Sequence, residues 1–126
     1  KEVAEIVNIK EIAYDRWNAS QLVIDLVNDG LPMIPFGQGF ASLSSPTKEL
    51  EKLILNKQLN HGGNKVLRWM ASNVAVKSDP AGNIKFDKSK ATEKIDGMVS
   101  LVMAIGSYMN DDTEESSYDD RGIVWI

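Results

Sequence analysis

Val7-Asn8-Ile9-Lys10-Glu11-Ile12-Ala13-Tyr14 is an apolar, partly alternating run that stops at Asp15, and it sets the reading of the fold. Such a run predicts a buried or half-buried strand. Asn18 or Ser20 then caps a helix whose Leu22, Val23, Leu26 and Val27 form one apolar stripe, with Gly30 as its left-handed stop. Leu31-Pro32-Met33-Ile34-Pro35-Phe36 reads as a second extended segment. Its two prolines cannot donate to a ladder, so it suits a sheet edge. Strand, helix and strand in that order predict a βαβ unit with parallel strands, hence an α/β fold.

Downstream, Gly37-Gln38-Gly39-Phe40 opens a loop, and Ser45 caps a helix with Pro46 at its first position. Leu50, Leu53 and Ile54 mark its buried face, and it should end near Asn60. His61-Gly62-Gly63 is a break, with Asn64 as the cap of a helix carrying Val66, Leu67, Met70 and Ala71. Val74 to Lys77 and Asn83 to Phe86 flank Asp79-Pro80-Ala81-Gly82, a hairpin signal. Ser89 is placed to cap the last helix, along which Ile95, Met98, Val99, Val102 and Met103 keep helical spacing. Beyond Tyr108 the acids and serines predict disorder, which divides the chain into a body at 1–109 and an acidic tail at 110–126.

A length of 126 residues with 43% hydrophobic content suffices for one core. The chain has no cysteine, which excludes disulfides and thiolate metal sites. No apolar run reaches the roughly 20 residues of a membrane span, and Lys1-Glu2-Val3-Ala4-Glu5 does not resemble a signal peptide. The first residue is not Met, as expected of a piece of a longer protein.

The net charge of −4 hides an asymmetry. The tail holds six acids and one base, Arg121; removing them from totals of 18 acids and 14 bases leaves 12 and 13, a net of +1 for residues 1–109. Lys77, Lys85, Lys88, Lys90 and Lys94 fall close together on this neutral body. They form either a solvated face or a stripe that binds phosphates.

Two acids stand out by position. Asp15 follows a strand, where an α/β sheet presents side chains to a crevice, and Asp96 sits at the start of the last helix beside its apolar stripe. Desolvated carboxylates need partners, and Mg²⁺ or Mn²⁺ would provide one. The structural alternative is a turn residue and a dipole-favoured acid. Glu93, three residues before Asp96 on the same helix face, is a further candidate ligand or another such acid. His61 is the single histidine and suits a loop. Neither a P-loop nor a nucleophile elbow is present, and the tryptophans at 17, 69 and 125 stand apart.

Four stretches resemble the large terminase subunits of tailed phages. Ile12-Ala13-Tyr14-Asp15-Arg16-Trp17-Asn18-Ala19 is similar to the family's strand that delivers a catalytic acid. Gln38-Gly39-Phe40, followed by Pro46-Thr47-Lys48-Glu49-Leu50-Glu51, resembles its next conserved stretch. His61-Gly62-Gly63-Asn64 with Leu67-Arg68-Trp69 is a third match, although Lys65 stands where the family usually has proline. Lys94-Ile95-Asp96-Gly97 resembles the acid-bearing start of the last nuclease helix.

The resemblance implies an RNase H-like nuclease fold and two-metal cleavage of concatemeric double-stranded viral DNA in the host cytoplasm. Its implied partners are the small terminase subunit and the portal, with no membrane. Asp15 and Asp96 become catalytic metal ligands, Glu93 a third candidate, and the five lysines candidate backbone contacts. The family's domain opens with a β-meander that carries another aspartate. Nothing before Val7 matches it, so the fold is expected to lack its N-terminal strands, and this piece to cleave weakly or not at all. An unfilled sheet edge would favour self-association. The alternatives are a non-catalytic DNA- or motor-binding module, a prophage remnant, and a compact scaffold.

Overall fold

The computed structural model describes the backbone of residues 2–17 and 20–124, and side chains as far as residue 110. Asn18, one of the two caps offered for the first long helix, lies outside the described residues. The order of elements is α1 (Glu2–Ile6), β1 (Ile12–Asp15), α2 (Ser20–Asn28), β2 (Met33–Phe36), α3 (Phe40–Leu55), α4 (Lys65–Ser72), β3 (Val76–Ser78), β4 (Ile84–Phe86) and α5 (Asp96–Val124).

The parallel βαβ unit forms as expected. β1 and β2 pair in parallel, with Ile12 opposite Met33 and Asp15 opposite Phe36. The strand is shorter than the 7–14 run suggests, because residues 2–6 are helical and pairing begins only at Ile12. The register explains the limit: partners for residues 9–11 would be 30–32, where the chain is leaving α2 through Gly30 at φ 85°. α2 also departs from its expected stripe. Val23 and Leu26 are half-buried, whereas Leu22 and Val27 are exposed, since two strands are too narrow to cover the helix.

α3 starts at Phe40, five residues before the expected Ser45 cap, so Pro46 lies inside it. An interior proline costs about 3 kcal/mol through its missing donor and ring clash. Leu43 and Leu50, buried together with Pro46, each return about 1.5–3 kcal/mol. The buried face therefore outweighs the local signal. The helix stops at Leu55 rather than Asn60 because Lys57 turns left-handed at φ 56°. The amides of Lys57 and Gln58 then return to the carbonyls of Ile54 and Leu53, a Schellman closure.

Asn64 caps α4 as its position predicts, its side-chain oxygen accepting from Leu67 N–H at 3.0 Å. The β3–β4 hairpin is antiparallel, with Val76 opposite Phe86. Asp79 closes its turn by accepting from the amides of Ala81 and Asn83 and from the Asn83 side chain, while Gly82 takes φ 83°. The hairpin docks on α3, where buried Ser44 accepts the Ile84 N–H at 3.0 Å.

α5 begins at Asp96, not after Ser89, whose hydroxyl is bonded to Asp87. It continues to Val124, through the stretch expected to be disordered beyond Tyr108. Extending a formed helix costs far less than nucleating one. Phe36, Leu43, Leu50, Met98, Val102 and Met103 make the core where α3, α5 and β2 meet. Gly106 permits that meeting, since a Cβ there would overlap the Phe36 ring and lie 3.2 Å from Pro46 Cγ.

Candidate active site

Strand alternation puts Ala13 and Asp15 on one face of β1, and Ala13 packs on the core beside α5. Asp15 is therefore delivered to the side of the sheet that α5 covers. Asp96 occupies the first turn of α5, where the positive end of the helix dipole favours an acid. The two acids line one open cleft of about 800 Å³, together with Gln38, Lys88 and Ser100. At the other end of this cleft the Ser107 hydroxyl donates to the Glu11 carboxylate, tying the start of β1 to α5.

A second cleft, of about 260 Å³, lies on the hairpin side. Asp15 lines it as well, with Gln38, Lys77, Lys85, Asp87 and Lys88. Asp15, Gln38, Lys88 and Val99 thus form a wall common to both clefts.

The five lysines separate by environment. Lys77 and Lys88 are exposed on the second cleft. Lys85 is half-buried and held within the protein: its ammonium donates to the Gln38 carbonyl at 3.1 Å and sits 5.0 Å from the centre of the Phe40 ring. Lys90 and Lys94 are exposed and line neither cleft. Glu93 stands in the bend before α5, so it does not share a helix face with Asp96, and it also lines neither cleft. The helix starts later than the acids' spacing suggests, because Asn73 binds the preceding loop in another shape.

Asp87, which the sequence did not single out, lines the second cleft. It is 4% exposed, and its Oδ1 accepts the Ser89 N–H at 3.0 Å and the Ser89 hydroxyl at 2.5 Å. The Ser89 hydroxyl bond is the main reason that its carboxyl titrates below the usual carboxylate range; burial opposes the shift, and nearby Lys77 adds to it. The available signal was an acid directly after a strand with serine two positions on, the pattern of a side-chain-closed turn.

At the lip, Asp15 Oδ1 accepts the Trp17 N–H at 3.1 Å, and the Arg16 guanidinium stands 5.5 Å from the Trp17 ring centre. His61 belongs to the α3–α4 connection, where Nδ1 accepts the Gly63 N–H at 3.2 Å.

Two carboxylates on the wall of an open cleft suit Mg²⁺ or Mn²⁺, which take carboxylate, water and phosphate oxygens together. No group of three His, Cys, Asp or Glu able to hold a metal occurs among the described residues. No helix among the described residues is long and apolar enough to cross a membrane.

A parallel βαβ unit presenting one acid, covered by a helix that presents another, places the chain among RNase H-like α/β domains. It belongs to the terminase large subunit family, whose endonuclease-domain model matches residues 2–112. The chain is 40% identical over 125 residues to the terminase large subunit of Enterobacteria phage HK97, covering 94% of this chain and 25% of that protein. Protein YmfN of Escherichia coli K12 is 33% identical, with 98% and 28% covered, and the Lactococcus phage SK1 terminase large subunit is 33% identical, with 82% and 20% covered. The crystal structure of the HK97 large terminase superposes with a TM-score of 0.75 at 42% identity, over 84% of this chain and 23% of that one. The chain spans about a quarter of the length of these relatives.

Proposed function

We propose that residues 1–109 are the nuclease portion of a viral DNA-packaging terminase, in which Asp15 and Asp96 hold a divalent metal against the scissile phosphate of double-stranded DNA. The observation that carries this reading is the shared cleft of Asp15 and Asp96, with Lys88 on its wall. Mg²⁺ or Mn²⁺, when bound there, would activate water and stabilise charge on the attacking and leaving oxygens. The chain's own residues do the rest. The carboxylates orient the site, and Lys77 and Lys88 attract the DNA backbone, which supplies most non-specific affinity. Cleavage by this piece alone is expected to be weak, because no three-member group able to hold a metal occurs among the described residues and two carboxylates bind such ions loosely. In the whole protein the substrate would be concatemeric viral DNA in the host cytoplasm, with the small terminase subunit and portal as partners.

The test is Mn²⁺ titration by calorimetry of the unaltered chain, Asp15→Ala and Asp96→Ala. Saturable binding lost in both variants supports a shared metal site. Binding indifferent to both substitutions would sink it. A second reading, a module that binds DNA without cutting it, is favoured by the absence of a three-member metal-holding group among the described residues. DNA binding that is strongly salt-dependent and unchanged by chelator, with no cleavage in Mn²⁺, would select that reading. The open two-stranded sheet and exposed Leu22, Ile24 and Val27 further suggest self-association, which light scattering at high concentration would refute by a monomeric mass.

A further inference from the structure

The loop from 87 to 95 joins the lysine-bearing hairpin to the helix that carries Asp96. Its first residue is anchored on every side. The Asp87 amide donates to the Ala75 carbonyl at 2.7 Å, which fixes it to the opposite arm of the hairpin. The Asp87 carbonyl accepts the amides of Lys90 at 3.3 Å and Ala91 at 3.1 Å. Its carboxylate accepts both donors of Ser89. Lys88 therefore lies in a turn closed from both flanks by one buried residue. Among the described residues it is also the one lysine that lines both clefts, and Asp15 lines each of them too.

Lys85, which also lines the second cleft, has its ammonium turned to the Gln38 carbonyl and the Phe40 ring. Lys77 lines only the second cleft. Lys10 lines only the first cleft, so Lys88 alone of these lysines can meet a phosphate where the two clefts join beside the wall that Asp15 shares. A lysine side chain loses considerable rotamer freedom when it is held, so a backbone already fixed lowers the cost of that contact.

We propose that Asp87 is a positioning residue that holds Lys88 on the wall common to the two clefts, where Lys88 grips a DNA backbone phosphate next to Asp15. Asp87 itself touches no DNA. This rests on the reading of the chain as a DNA-binding nuclease portion. It adds that the strand continues from the Asp15–Asp96 cleft into the hairpin cleft past Lys88.

The test uses the 126-residue chain, a short labelled duplex without metal, and fluorescence anisotropy over a series of salt concentrations. The variants are Asp87→Ala, Lys88→Ala, the double variant and Asp87→Asn, each checked for folding by circular dichroism. Losing one phosphate contact should flatten the salt slope by about 0.9. Lys88→Ala and Asp87→Ala should each do so, and the double variant should bind no more weakly than Lys88→Ala. Asp87→Asn, which keeps an acceptor for the Ser89 amide, should recover most of the affinity. A purely structural role predicts multiplying losses instead. Multiplying losses, or an unchanged slope in Asp87→Ala, overturn the proposal while leaving the nuclease reading in place. If Asp87→Ala does not fold, Ser89→Ala takes its place under the same criteria. No salt-dependent binding by the unaltered chain overturns both the nuclease reading and this inference.

Discussion

The side-chain amide of Asn73 donates to the main-chain carbonyl of Lys94 at 3.3 Å, so the residue closing α4 holds the chain two positions before Asp96. Its oxygen also accepts the Thr92 hydroxyl at 3.1 Å, and its own carbonyl accepts the Thr92 amide at 3.3 Å. Asn73 is buried, while its partners Thr92 and Lys94 are exposed, so water can replace part of what they lose. Asn73→Ala should cost roughly 0.5–1.5 kcal/mol in urea unfolding, the net range for a lost hydrogen bond whose partners stay open to water. It should also weaken Mn²⁺ binding several-fold by releasing the approach to α5. Unchanged Mn²⁺ affinity in a folded variant would show that Asp96 is placed by α5 packing alone.

Gly106→Ala tests the crossing of α5 over β2. Alanine gains helix propensity of about 0.8–1 kcal/mol over glycine. Here, however, its Cβ would overlap the Phe36 ring, which is buried and cannot swing away freely. Overpacking of this kind costs about 1–3 kcal/mol. The variant should therefore melt lower than the parent; a raised melting temperature would mean that the core yields more easily than its packing indicates.

Lys57→Gly should stabilise the chain by about 1 kcal/mol. Lys57 is left-handed at φ 56°, a conformation that costs a side-chain-bearing residue about 1–2 kcal/mol and glycine little. Urea denaturation gives the answer directly. No gain would indicate that the Lys57 side chain returns as much as its backbone loses.

Acid should destabilise the hairpin region first. Asp79 and Asp87 both titrate below the usual carboxylate range in the folded chain, chiefly through bonds from the Asn83 and Ser89 side chains. Their carboxyls are depressed relative to the unfolded chain, so the unfolded state binds more protons between the two pKa values. The stability they contribute is whole above the unfolded value and is lost as pH falls through the folded ones. Urea midpoints measured from pH 6 downward should stay level and then drop below about pH 4. Ser89→Ala should shrink that drop, and an equal drop in the variant would remove Asp87 as its source.

Lys77→Ala should flatten the salt dependence of DNA binding by about 0.9. Lys90→Ala and Lys94→Ala should change it less, because neither lines the clefts. Lys85→Ala should lower thermal stability, since its ammonium is bonded to the Gln38 carbonyl. Equal slopes for all five single variants would indicate a diffuse charge effect instead of a defined path.

The parallel βαβ unit, the Asn64 cap and the Asp79–Gly82 turn were legible because each depends on a few adjacent residues. Ser45-Pro46 and Ser89 misled for a common reason. Each is a good local start signal overridden by distant contacts, the α3 packing in one case and the Asp87 bond in the other. Within the site, Asp15 and Asp96 were visible as acids at element ends, and the family resemblance drew them together. The cleft shared with Asp87 was not visible, since it arises from a hairpin folding onto α3 and no short motif encodes that docking.

Gln38 joins three elements through one side chain and one carbonyl. Its carbonyl takes the Lys85 ammonium from the hairpin, while its amide rests on the Phe36 carbonyl and on Met103 Sδ of α5. The contact works as a mechanical strut. A displacement of the hairpin is passed through Gln38 to β2 and α5 together, so the three elements that wall the clefts shift as one.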